Sequence, residues 1–171
     1  MTKAKGYSIW LIPTDNIYKK LHQIVLQLSK KYSTPSFEPH ITLLDGFLGS
    51  KEEILSNTEQ LTHLIRPFTI RLTHADYLDQ YFRCLFLRAE KTIELMNAND
   101  KAREIFNRKQ DPKFMPHLSL MYGDFTPETK EQIIETIDRE FNISFNVRSI
   151  HLFSTDGKPK DWYRVGEFSL K

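Results

Sequence analysis

Two pentapeptides repeat one pattern 77 residues apart: Pro39-His40-Ile41-Thr42-Leu43 and Pro116-His117-Leu118-Ser119-Leu120. An aromatic residue stands shortly before each proline, Phe37 and Phe114, and an Asp/Gly pair follows each block, Asp45-Gly46 and Gly123-Asp124. Each block reads as a strand preceded by one helix and followed by another. The period is too long for a stacked repeat array. It fits a duplicated half-domain, two pseudo-symmetric lobes about a shared cleft, with motif halves of about 1–79 and 80–171. The chain has 171 residues and no composition shift or linker that would separate the halves. One domain over 1–171 is therefore expected, large enough to bury about 70% of its unfolded surface.

Strand geometry turns the repeat into chemistry. Side chains alternate across a strand, so His40 and Thr42 share one face, and so do His117 and Ser119. Ile41, Leu43, Leu118 and Leu120 face the core. If the two strands meet across a pseudo-twofold axis, two imidazoles and two hydroxyls converge. Imidazole titrates near neutral pH, so the pair can supply a general base and a general acid. The hydroxyls can hydrogen-bond phosphate oxygens. Such a site suits in-line attack of water on phosphorus, one histidine taking the proton and the other protonating the leaving oxygen, without a metal or a cofactor. A single His-x-Thr is more often a packed histidine bonded to backbone. Two copies with matching flanks are hard to explain as packing.

The rest of the chain supplies context. Tyr7 to Ile12 reads as a strand stopped by Pro13. Asp15 is a candidate cap for a helix with Ile17, Leu21, Ile24, Val25 and Leu28 on one face. His40 to Leu44 reads as a strand ended by an Asp45-Gly46 turn. A helix follows Ser50 to about Ile65, with Glu53 placed for a capping box. Strands are expected at Pro67 to Leu78 and Tyr81 to Ala89, joined by a hairpin at Asp79-Gln80, and a helix at Thr92 to Arg108. Phe114 to Tyr122 is the second motif strand. Pro127 to Glu140 is a helix capped by Thr126, Ile143 to Phe153 one strand, and Tyr163 to Leu170 the last.

Composition narrows the function classes. Hydrophobic residues are 40%, charged residues 27%, and the net charge is +2. Disordered and collagen-like chains are excluded, and so is a polybasic nucleic-acid coat. No apolar run approaches a membrane span, and Pro13 breaks the apolar stretch that a secretory signal would need. Cys84 is the only cysteine, so an intramolecular disulfide and a multi-cysteine zinc site are impossible. The sequence reads as a cytoplasmic monomer, and no metal-ligand spacing is present.

Three stretches together resemble the 2H phosphoesterase superfamily and, within it, the cyclic phosphodiesterase branch. They are Tyr7-Ser8-Ile9-Trp10 before Pro13, Phe37-Glu38-Pro39-His40-Ile41-Thr42, and Met115 through Gly123. The resemblance spans the whole chain. It implies a two-lobed α+β fold with antiparallel sheets lining a central cleft and helices outside. It implies metal-independent opening of nucleoside 2′,3′-cyclic phosphates to 2′-phosphates, or of ADP-ribose 1″,2″-cyclic phosphate, small-molecule substrates that need no cofactor.

By position, His40 and His117 match the catalytic histidines, and Thr42 and Ser119 the phosphate-binding hydroxyls. Tyr122 matches a site tyrosine, although on a regular strand it falls on the opposite face and needs a bend at Met121 or Gly123. Which histidine is the base does not follow from sequence; analogy points to His117, with His40 as acid. The extra cysteines of plant members are missing here. Trp10 is expected near the cleft, either stacking on substrate or in the core. The segment Gly157 to Arg164 can close on a second phosphate or form a plain hairpin. His22 and His63 read as surface or boundary residues, and His74 and His151 as core or supporting groups. Two other readings keep the motif: a phosphoesterase acting on RNA 3′ ends or 2′,5′-oligonucleotides, and a nucleotide-binding module without turnover.

Overall fold

The computed structural model describes residues 4–171. Met1, Thr2 and Lys3, part of the single-domain expectation, lie outside the described residues. Pro13 ends the first strand, β1 (Tyr7–Leu11), and α1 (Asp15–Tyr32) follows, burying Leu21, Val25 and Leu28. Asp15 does not cap it. Thr14 holds the cap position without a side-chain bond, and Asp15 is the first helical residue, with φ 51°. The next helix is capped as its sequence predicts, because Ser50 accepts from the Glu53 amide at the start of α2 (Lys51–Thr62).

The first motif strand, β2 (Ile41–Phe47), runs straight through Asp45-Gly46 instead of turning there. After β3 (Phe68–Asp76), the segment predicted as strand from Tyr81 first makes a 3-10 turn over Tyr81–Arg83, and β4 covers only Leu85–Ala89. Helix α3 (Ile93–Ile105) stops short of Arg108, since Asn107 is left-handed. The second motif strand is β5 (His117–Met121). Helix α4 (Pro127–Ile137) has Thr126 as its cap and Pro127 in its first turn, and ends where Asp138 takes a positive φ. The run predicted as one strand from Ile143 to Phe153 is two, β6 (Glu140–Val147) and β7 (Ser149–Ser154), before β8 (Tyr163–Ser169).

All eight strands form one curled antiparallel sheet in the order β6-β3-β4-β5-β2-β1-β7-β8. The two motif strands meet at its centre, Ile41 opposite Leu118. On either side stand matching partners, β1 beside β2 and β4 beside β5. The outer strands are exchanged. β3 of the first motif half completes the lobe of β4 and β5, whereas β7 and β8 return to complete the lobe of β1 and β2. The helices exchange too, α1 packing on β5 and α3 on β2. One continuous core results. Ile41, Leu43, Leu118 and Leu120 are all buried in it, as alternation requires, and so is Cys84.

Candidate active site

The register at the centre of the sheet arranges the motif side chains. With Ile41 opposite Leu118, the flanking pairs are His40 with Ser119 and Thr42 with His117. Directly opposed side chains of an antiparallel pair have Cβ atoms about 5 Å apart. Each imidazole therefore neighbours the hydroxyl of the other motif. All four line one cavity of about 400 Å³.

Both histidines are anchored by the same local device. His40 Nδ1 donates to the Glu38 carbonyl at 2.6 Å, and His117 Nδ1 donates to the Met115 carbonyl at 2.8 Å. The intervening proline lacks an N–H and fixes its own φ, which keeps the tight reverse contact in shape. With Nδ1 holding the proton, Nε2 carries the lone pair. Each motif thus presents one basic nitrogen free of any protein partner among the described residues. The bond to backbone, typical of a packed histidine, here sets the tautomer of a ring that lines a cavity.

A second repeated device follows the motifs. Between Ile9↔Leu44 and Trp10↔Thr42, β1 advances one residue while β2 advances two. Between Leu85↔Met121 and Phe86↔Ser119, β4 advances one and β5 two. An extra residue in a strand flips the faces that follow. Leu44 and Met121 stay in the core, and Asp45 and Tyr122 return to the cavity side. The bulge is the bend that Tyr122 requires. Its ring stacks on Phe37 at 3.8 Å, and burial pushes its hydroxyl well above the ordinary phenol range. The Ser119 hydroxyl donates to the Phe82 carbonyl at 3.2 Å and lies beside the Tyr122 hydroxyl. Thr42 makes no such bond among the described residues.

Trp10 has a different position from a substrate-stacking platform. One face of its indole lies on the His40 ring at 3.6 Å and 6°, the other on Phe153 at 3.7 Å. Both faces are taken, so a substrate base cannot stack on either. Its Nε1 donates to Ser8 Oγ at 2.8 Å. The pseudo-symmetric position holds Phe86, which meets His117 edge to face at 5.0 Å. Sequence reading missed Phe86, although it lies 76 residues after Trp10, one short of the motif repeat.

Burial dominates the electrostatics. It depresses His40 to about 3, against a raising bond from the Glu38 carbonyl, with the charge of His117 lowering it further. It depresses His117 to about 4, opposed by the Met115 carbonyl and assisted by the positive charges of Arg83 and Arg88. Arg88 is held by Asp76 at 2.5 Å. Arg83 lines the cavity with no ion-pair partner among the described residues. The sequence pattern points to neither arginine: it reads the 3-10 turn that carries Arg83 as strand, and it places Arg88 in a strand without showing that this strand lies beside the second motif.

The Gly157 to Arg164 segment is a hairpin connection with a 3-10 turn at Pro159–Asp161. Of its residues only Trp162 lines this cavity; Lys158 and Lys160 do not. His63 is exposed and His22 half-buried. His74 leaves the core face because a bulge at Thr73 interrupts β3, and its Nδ1 lies 3.0 Å from Thr73 Oγ1. His151 is buried opposite Trp10, with Nδ1 unpartnered. Burial likewise lowers it to about 4. Among the described residues no three His, Cys, Asp or Glu side chains cluster to hold a metal ion, and no helix is long and apolar enough to cross a membrane.

The curled sheet with its paired motif is that of the 2H phosphoesterases. Within that superfamily the chain belongs to the cyclic phosphodiesterase-like family, whose model matches residues 5–170. It is 27% identical to the cyclic phosphodiesterase of Arabidopsis thaliana, over 92% of this chain and 90% of that protein. It superposes on the Thermus thermophilus protein TT0787 with a TM-score of 0.70 at 18% identity, covering 96% of this chain and 97% of the other. For the E. coli LigT complex with 3′-AMP the TM-score is 0.66 at 16% identity, covering 99% of both chains. The chain is thus an enzyme of the cyclic phosphodiesterase kind, a phosphoric diester hydrolase.

Proposed function

We propose that the protein hydrolyses nucleoside 2′,3′-cyclic phosphates to 2′-phosphates, and ADP-ribose 1″,2″-cyclic phosphate as a larger substrate, by His/His acid–base catalysis. The observation that carries this reading is the pair of identically anchored imidazoles lining one cavity. In this reading His117, the more open of the two, is the base and His40 the acid, an assignment made by analogy with the family. His117 takes a proton from water as the water oxygen attacks phosphorus. The P–O3′ bond breaks in line with the new P–O bond, and His40 delivers its proton to O3′. Thr42 and Ser119 donate to the non-bridging oxygens, whose charge builds in the transition state.

The acid step needs a proton that burial alone withholds from His40. A bound phosphate anion favours the imidazolium, and repulsion between the two rings keeps the pair to one proton. A nucleoside cyclic phosphate or ADP-ribose cyclic phosphate suits the size of the cavity and its mixed lining, with Phe82, Trp162 and Tyr122 as rings and Arg83 as a cation.

The test is incubation with 2′,3′-cyclic AMP in excess EDTA, with the product identified by phosphorus NMR. The expected product is the 2′-phosphate. A 3′-phosphate would overturn the assignment of the broken bond, and dependence on added metal would overturn the mechanism. Tight nucleotide binding without turnover would replace the enzyme reading by a binding module.

A further inference from the structure

One charged residue of the last strand reaches His40 by two separate routes. The first is a ladder of planar groups that runs from β8 across β7 and β1 to His40, the residue just before β2. The Arg164 guanidinium lies over the Phe153 ring at 5.7 Å, Phe153 stacks on Trp10 at 3.7 Å, and Trp10 stacks on His40 at 3.6 Å. The second is polar. Arg164 Nη2 stands 3.5 Å from Glu38 Oε1, which also accepts from the Tyr18 hydroxyl at 3.2 Å. The Glu38 carbonyl in turn holds His40 Nδ1. The other motif lacks this polar clamp, since Met115 occupies the place of Glu38.

We propose that Arg164 is a positioning residue for His40, holding the plane of the imidazole through Phe153 and Trp10 and its Nδ1 anchor through Glu38. The proposal rests on the reading of His40 as a catalytic group. It does not rest on stability, because a half-exposed ion pair contributes little. Its value is alignment, since a catalytic group displaced by about 1 Å costs up to about 100-fold in rate. Stacking fixes the tilt of the ring, and the Glu38 clamp fixes its rotation about the backbone.

The experiment compares Arg164→Ala and Arg164→Lys in the full chain. With 2′,3′-cyclic AMP, Arg164→Ala is expected to lower kcat about tenfold and leave KM within about twofold, the size of a modest misalignment. Arg164→Lys keeps a charge for Glu38 but has no plane to lay on Phe153, and recovers part of the loss. Independently of turnover, the imidazole Nδ1–H resonances report the anchors. In Arg164→Ala the His40 signal should broaden through faster exchange with water, with the His117 signal unchanged as internal control. Wild-type kcat together with an unaltered His40 signal would overturn the proposal. Equal broadening of both histidines would do so too, since it means general loosening. If the wild-type enzyme does not open cyclic phosphates, the proposed function fails, and the two resonances still decide what Arg164 does.

Discussion

The two motif halves hold their histidines by one backbone device and surround them differently. His40 is sealed, with an indole flat against its ring and a charged clamp behind its anchor. His117 is half-buried, touches Phe86 only by its edge, and has Arg83 and Arg88 for company. A duplicated strand and loop therefore yield two imidazoles of the same tautomer with unlike electrostatics. Acid–base catalysis needs one proton shared by the pair, and the unlike surroundings bear on which ring holds it.

Removing either imidazole tests the comparison most severely. His40→Ala and His117→Ala should each cost about 10²- to 10⁴-fold in kcat, the range for a lost general acid or base. Steady-state turnover checks this, and near-normal activity in either variant would remove that histidine from the mechanism. Because the rings have different tasks, a substrate with a much better leaving group should rescue the variant lacking the acid and not the one lacking the base. The assignment above expects rescue of His40→Ala only.

The pH dependence sharpens the same contrast. Burial holds both histidines neutral in the free enzyme, His40 to about 3 and His117 to about 4. The singly protonated pair is then a minority at pH 7 and grows as pH falls. Thus kcat/KM, which reports the free enzyme, should rise toward acid, approaching tenfold per unit between about pH 7 and 5. A profile that falls with acid across that range would show that the site does not use a depressed acid. A flatter kcat profile is expected, because bound phosphate raises the acid.

The hydroxyls differ in a way that sequence similarity hides. Ser119 is already tied to the Phe82 carbonyl, whereas the Thr42 hydroxyl has no hydrogen-bond partner among the described residues. A lost bond to a charged group costs about 1.5–3 kcal/mol. Thr42→Ala should lie near the upper end and Ser119→Ala near the lower, since Ser119 gives up a protein bond to reach the phosphate. Comparing kcat/KM of the two variants reads the difference, and a larger loss for Ser119→Ala would reverse this account.

The smallest expected effect concerns stability. His40, His117 and His151 all have folded-state values below the ordinary imidazole value of 6.5. As pH falls below 6.5 the unfolded chain takes up protons first. Stability is therefore fully present above that pH and declines toward about pH 4 to 3. Tm should fall across this window, and His151→Phe, with no proton to gain, should flatten the slope without changing the kcat/KM profile. An unchanged slope would mean that His151 does not contribute.

Much of the site follows from local rules. Alternation on a five-residue strand puts His40 with Thr42 and His117 with Ser119, and the preceding proline marks where each strand begins. The repeat announces that two such surfaces belong together. Other assignments fail for identifiable reasons. The run from Ile143 to Phe153 has no glycine or proline, and the one local mark of its break is a shift of parity at Arg148-Ser149, where the apolar positions pass from Ile143, Phe145 and Val147 to Ile150 and Leu152; β6 and β7 then lie on opposite sides of the sheet. Asp45-Gly46 has turn chemistry, yet the strand continues because β1 pairs with it as far as Phe47.

Within each motif the sequence alone determines which side chains share a face, since between His40 and Thr42, and between His117 and Ser119, only the two-residue period of a strand and the short reach of a Pro-His turn are at work. The tertiary structure decides which faces oppose. The register of Ile41 with Leu118 joins the motifs, the paired bulges return Tyr122 and Asp45 to the cavity, and the return of β7 places Phe153 behind Trp10. Those outcomes rest on pairing between residues far apart in the chain, where packing and hydrogen bonding across strands outweigh local preference.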